Sequence, residues 1–196
     1  MELGIKRLGH DLRFRRDRYR QFLGIAYIAL LTFVGWPTNY RLFLLGTALV
    51  IGGELFRLWA SGFIKKDKEL ASGGPYAMVR HPLYVGNITL LTGFCLASGL
   101  WWALPGMIAY LMLFYPPAIR REDAKLRRLF GSQWDSWARN TRALIPRAAP
   151  LESLRNGRWS LVQSLKENGE PVYAALMLAA LYWLYGSPSL AGFSPF

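Results

Sequence analysis

From Leu83 to Ile119 the chain runs for 37 residues without one Asp, Glu, Lys or Arg. At ~1.5 Å of rise per residue, that is about two crossings of a ~30 Å hydrocarbon core. The middle of the run, SGLWWALPG (Ser98 to Gly106), supplies turn residues and interfacial tryptophans. A helical hairpin is the conformation that satisfies every backbone N–H and C=O along such a run when no water is at hand.

The same scan finds further spans. Gln21 to Trp36 is uncharged and ends at Pro37, Leu42 to Ile64 is apolar apart from Glu54 and Arg57, and Pro171 to Gly186 is apolar with Tyr and Trp near its end. The expected fold is therefore all-α: a polytopic integral membrane bundle of about five transmembrane helices. It reads as a single domain over 1–196, with a basic segment at 1–20 and a fifth span in the extension 147–196. The first 20 residues are basic and lack an apolar core, which does not match a cleavable signal peptide.

Charge distribution separates this reading from a basic nucleic-acid binder. The formal net charge is +12, with seven Lys and Arg in Met1–Arg20, four in Lys65–Arg80 and eleven in Arg120–Lys166. The opposite loops hold only Arg41, and Arg57 lies within a span. By the positive-inside rule the N-terminus and the basic loops face the cytoplasm, and the C-terminus lies outside. Basic loops alternating with apolar helices do not form the clustered face that phosphate backbones require, so no nucleic-acid partner is expected. A multi-pass protein of the cell membrane, in contact with its lipids, is the expected setting.

Metal chemistry is not expected either. The lone Cys95 lies within the third span and His10 and His81 are far apart, so no metal-ligand spacing is present. GTALVIGG (Gly46 to Gly53) sits inside a span, where glycines serve close helix packing. Glu54 and Arg57 share a helix face three residues apart. Ionisable groups at that depth face a bundle interior or a polar cavity. They read as a structural ion pair or as part of an acceptor pocket.

Two polar segments carry the chemistry. In the first, Gly73-Gly74-Pro75 makes a turn, and Pro82 opens a helix where its missing N–H is harmless. Arg80 and His81 thus stand at a helix N-terminus, which suits a carboxylate or phosphate. Tyr84 follows about one turn later on the same side. Interfacial anchoring is the plainer role for these residues. In the second, Ile119, Leu126, Leu129, Phe130, Trp134 and Trp137 recur at helical steps, giving an amphipathic helix broken near Gly131. Glu122 and Asp123 stand among basic residues there, as surface pairs or as a carboxylate pair able to hold a cation.

Together these segments resemble the isoprenylcysteine carboxyl methyltransferases and the related phospholipid methyltransferases, in a bacterial- or archaeal-type form. The matching residues are Gly74-Pro75-Tyr76, Arg80-His81-Pro82-Leu83-Tyr84 and Gly86, then Glu122-Asp123-Ala124-Lys125-Leu126, Phe130-Gly131, Trp134, Trp137 and Pro146. The resemblance covers about residues 57–146. It implies an S-adenosyl-L-methionine-dependent methyltransferase whose donor binds at the cytoplasmic membrane edge, with a lipophilic or membrane-embedded acceptor entering from the bilayer. It places Gly74, Pro75, Tyr76, Arg80, His81, Pro82, Tyr84, Asn87, Glu122 and Asp123 around the donor. His81, Tyr84, Glu122 and Arg139 become the catalytic candidates. Glu54, Arg57, Trp134 and Trp137 become candidates for the acceptor.

Departures from the family pattern are specific. Asp123 replaces a second Glu, Trp134 and Trp137 replace two Tyr, and the position of a family Arg is Asn140, with Arg139 beside it. NADPH-dependent membrane sterol and steroid reductases share a related Arg-His-Pro-x-Tyr region and form the alternative. The Glu of their Asn-Tyr-Gly-Glu pattern is absent from Leu83-Tyr84-Val85-Gly86-Asn87.

Overall fold

The computed structural model describes residues 19–65, 68–157, 159–167 and 170–186. Residues 1–18 of the basic segment, Lys66 and the last residues of the C-terminal extension lie outside that set. The described elements are helix α1 (Tyr19–Val34), α2 (Tyr40–Ser61), a 3-10 turn (Gly74–Ala77), α3 (Pro82–Ala97), α4 (Ala103–Arg139), α5 (Leu151–Arg155), a π turn (Gln163–Glu167) and α6 (Glu170–Tyr185). Among the described residues there is no strand. The expected all-helical class is observed.

Four glycines set the central contact. On α2, a Cβ at Gly46 would lie 2.5 Å from the Gly93 carbonyl, and one at Gly53 would lie 2.8 Å from the Gly86 carbonyl. Both pairs are seven residues apart and run in opposite directions, so α2 and α3 are antiparallel and touch backbone to backbone. Val50 and Leu90, both buried, fill the step between the two glycine pairs. Small residues at this spacing let helices approach closely when lipid, not water, surrounds them. The glycine-rich GTALVIGG stretch is thus a packing surface, as its position in a span implied.

Around this pair one apolar core gathers all the long helices. Ile28 and Leu31 come from α1, Phe43 and Val50 from α2, Leu90, Leu91 and Phe94 from α3, Ala103 and Met107 from α4, and Met177, Leu181 and Leu184 from α6. The C-terminal extension therefore belongs to the core. Its docking is completed by a buried pair of hydroxyls, Ser61 and Ser164, 2.6 Å apart, with the Ser164 hydroxyl also donating to the Leu58 carbonyl.

The outward faces are apolar too. Phe22, Phe33, Leu55, Met112, Leu113, Val172 and Trp183 are all exposed. α2 is long and apolar enough to cross a membrane, yet only 28% of its most apolar window is buried inside the protein. α1, α3 and the Pro171–Tyr185 stretch of α6 are apolar and shorter. A helix apolar on every side and mostly unburied is suited to a hydrocarbon surrounding.

The hairpin forms with a tighter bend than the sequence suggested. α4 begins at Ala103, so Leu104, Pro105 and Gly106 are helical. Proline is tolerated in a first helical turn because its missing N–H has no intrahelical partner there. α4 also differs at its other end. The amphipathic segment is no separate helix but the direct continuation of the apolar half, through Pro116 and Pro117. Residues 119–130 hold strong helix formers and no breaker, so nothing ends the helix where the apolar run stops. The chain turns only at Gly131 (φ 51°, ψ −124°), where the sequence placed the break.

The glycine contact makes a sharp prediction. Gly93→Ala pushes a methyl into the Gly46 carbonyl and should lower stability by about 1–3 kcal/mol. Gly52→Ala, on the same pair of helices with nothing within 4 Å of its new Cβ, should leave stability unchanged or raise it by about 0.5–1 kcal/mol through helix propensity. Thermal unfolding in detergent distinguishes them; equal melting temperatures for the two variants would refute the close contact.

Candidate active site

The site is built where the 3-10 turn, the start of α3 and the middle of α4 meet. Gly74 has φ 58°, and a Cβ there would lie 2.5 Å from the Phe63 ring, so only glycine fits. Pro75 and Tyr76 are buried behind it. Trp137 Nε1 donates to the Tyr76 carbonyl at 3.1 Å, fastening the tail of α4 to this turn.

Arg80 and His81 leave the turn in an extended path that a strap from the far side of α4 completes. The Arg80 N–H donates to the Arg142 carbonyl (2.8 Å), the His81 N–H to the Ala143 carbonyl (3.1 Å), and the Arg147 N–H to the Met78 carbonyl (3.1 Å). Pro82 then starts α3 as its first residue, with His81 as the cap.

The two motifs converge here. The buried His81 donates Nε2–H to Asp123 Oδ1 at 3.0 Å, since an ionised carboxylate can only accept. Asp123 Oδ2 lies 3.6 Å from an Arg80 guanidinium nitrogen, and Glu122 Oε2 lies 3.7 Å from His81 Nδ1. Exposure assigns the acids different work. The Asp123 side chain is 20% exposed and engaged twice, whereas that of Glu122 is 46% exposed. Asp123 holds the site together, and Glu122 borders it on the open side.

Aromatic groups extend the cluster inward. The His81 ring stacks on Tyr84 (5.4 Å, 20°), and Tyr84 packs on Tyr115 (5.3 Å). The Arg20 guanidinium lies over the Tyr84 ring at 4.8 Å and reaches Tyr115 at 6.0 Å. Arg80 approaches the Trp134 ring at 5.8 Å, and the buried indole N–H of Trp134 has no hydrogen-bond partner among the described residues. An open groove of about 900 Å³, lined by Arg80 and residues 138–147, adjoins this assembly.

The phospholipid methyltransferase family pattern matches residues 20–133 of the chain. The chain belongs to this family. It is 33% identical over 148 residues to the nickel-cobalt-cadmium resistance protein NccN of Alcaligenes xylosoxydans xylosoxydans, covering 72% of this chain and 68% of that one. It is 36% identical over 115 residues to the cobalt-zinc-cadmium resistance protein CzcN of Cupriavidus metallidurans, covering 57% of this chain and 50% of that relative. No solved structure matches.

Within this methyltransferase family's frame, Arg80, His81, Pro82, Tyr84, Glu122 and Asp123 are brought together, with Gly74, Pro75 and Tyr76 behind them. Trp134 and Trp137 are drawn to Arg80 and to the turn. Arg139 is exposed, its Nε donating to the Asp135 carbonyl, and it lines the adjoining groove. Asn87, Glu54 and Arg57 form a second cluster. Arg57 pairs with Glu54 (3.8 Å), hydrogen-bonds the Asn87 side-chain oxygen and lies 4.6 Å over the Tyr173 ring. Arg57 therefore does not extend toward the surface but ties α2 to α3 and α6.

Arg20, Tyr115, Tyr173 and the strap carbonyls were not legible as site groups. Arg20 is the last basic residue before the first apolar span and looks like any topology-setting charge. Tyr115 precedes Pro116 in an apolar run, and the strap acts through its backbone.

Two measurements test these assignments. Asp123→Ala strips Arg80 and His81 of their shared acceptor and should destabilise the protein by about 1–3 kcal/mol. Glu122→Ala should cost less than about 0.5 kcal/mol. Matching melting temperatures for the two would contradict the division of labour. Likewise, Arg57→Met should be strongly destabilising, by about 3–5 kcal/mol, and Glu54→Gln added to it should recover most of that loss. Failure of the double variant to recover would show that the pair is not the lock.

Proposed function

We propose that this chain is a multi-pass membrane methyltransferase that uses S-adenosyl-L-methionine and modifies a lipophilic acceptor reaching it through the bilayer. One observation carries the reading: two polar motifs separated by the α3–α4 hairpin converge on a single cluster, in a chain of a methyltransferase family. The basic loops favour a cytoplasmic side for that cluster by the positive-inside rule.

The residues fit such a donor. The donor's amino-acid arm and sulfonium bring charges of both signs, and the cluster offers a half-exposed carboxylate, a guanidinium and flat aromatic faces at one place. When bound, the donor supplies a methyl group activated by a positively charged sulfur. The chain's part is positional and electrostatic. Asp123 and the strap hold Arg80 and His81 in place, Tyr84 presents its ring beside them, and Glu122 offsets positive charge in a site where few groups must move. The Gly74–Tyr76 turn forms the floor on which these groups rest. Trp134 and Trp137, drawn to the rim by Arg80 and Tyr76, stand where an acceptor's apolar part would pass.

The metals in the names of NccN and CzcN belong to those proteins. Among the described residues no group of three or more His, Cys, Asp or Glu is arranged to hold an ion. The acceptor is read as a prenylated-cysteine carboxylate or a lipid headgroup.

Calorimetric titration of the detergent-purified chain tests the proposal. S-adenosylhomocysteine should bind and NADPH should not. His81→Ala should weaken S-adenosylhomocysteine by roughly tenfold or more, the loss expected for a hydrogen bond to a charged site. Binding of NADPH with no response to S-adenosylhomocysteine would replace this reading with the reductase one.

A further inference from the structure

The sequence assigned no role to Arg20, and the structure puts it inside the site. It sits at the start of α1, one end of the bundle away from the Ser98–Trp102 bend, and its backbone carbonyl accepts a hydrogen bond from the Tyr110 hydroxyl at 2.9 Å. That bond fixes where the side chain begins. The guanidinium then lies over Tyr84 and reaches Tyr115. An arginine serving only as a topology anchor would extend toward headgroups; this one folds inward over a ring that also stacks on His81.

Position narrows the choice further. Arg80 faces Asp123, and Arg57 faces Glu54 in a separate cluster. Arg121 lines a different groove with Arg127 and Arg128. Arg20 is the cation placed over the Tyr84 ring, and Glu122 lies beside His81, which stacks on that same ring. A cation and an anion thus flank the stacked His81–Tyr84 pair. That arrangement matches an amino-acid zwitterion, whose ammonium and carboxylate sit on a single carbon. A guanidinium offers a carboxylate two parallel N–H donors, a geometry that no other side chain reproduces.

We propose that Arg20 binds the α-carboxylate of the methyl donor's amino-acid arm, opposite Glu122 across Tyr84. The inference rests on the donor reading above, and it makes α1 part of the binding site.

Three ligands separate this role from a structural one in binding measurements on the purified chain. S-adenosylhomocysteine has both charges of the arm. Its decarboxylated analogue keeps the ammonium alone, and 5′-methylthioadenosine lacks both. Arg20→Ala should weaken S-adenosylhomocysteine by about tenfold or more and leave the other two unchanged. Arg20→Lys, which keeps the charge and much of the packing, should fall between. Equal weakening of all three ligands by Arg20→Ala, or no weakening of any, would overturn the assignment while leaving the donor reading intact. If the unaltered chain binds neither S-adenosylhomocysteine nor 5′-methylthioadenosine, the donor reading itself fails and this inference with it.

Discussion

The backbone contact between α2 and α3 governs the rest of the molecule. With glycine at 46, 53, 86 and 93, the helices approach closely enough for one carbonyl to lie where a side chain would stand. That approach sets the register by which Arg57 on α2 meets Asn87 on α3. It also fixes where α3 begins, and so where His81 and Tyr84 stand relative to α4. Two helices packed through bulkier residues would sit ångströms farther apart, and a cluster whose polar distances run from 3.0 to 3.7 Å could not tolerate that displacement.

The cluster is divided between side chains that meet there and backbone that holds them. Three main-chain hydrogen bonds from the strap and one indole N–H secure the segment from Tyr76 to His81. The main-chain bonds are indifferent to side-chain identity. Where the family pattern has Tyr, Trp137 reaches the Tyr76 carbonyl with its indole N–H.

Much of this was legible before any coordinates. The apolar runs located the helices, because residues with no charge over such lengths have few other options. The Arg-His-Pro-x-Tyr and Glu-Asp motifs named the residues that the structure assembles, and Gly131 was read as the break. The illegible parts have physical reasons too. Helix continuity through Pro116 and Pro117 depends on what surrounds a proline, which composition does not record. The division between Glu122 and Asp123 depends on which face of α4 turns to His81, a matter of a single residue's rotation. Arg20 and Tyr173 act across long sequence separations, with no local pattern to mark them.

The placement of Tyr173 over Arg57 bears on biogenesis. Spans emerge from the ribosome in chain order, and α2 carries a buried arginine and a buried acid near its end. When α2 first meets the bilayer, Glu54 is the partner Arg57 already has. Asn87 arrives with α3, and the ring of Tyr173 arrives only with α6. On the proposed topology, α2 is therefore a costly segment to release into lipid early, and the insertion machinery would gain by retaining it until the hairpin follows. The last helix then acts as the seal on an assembly process, closing over a charge that was tolerable only in transit.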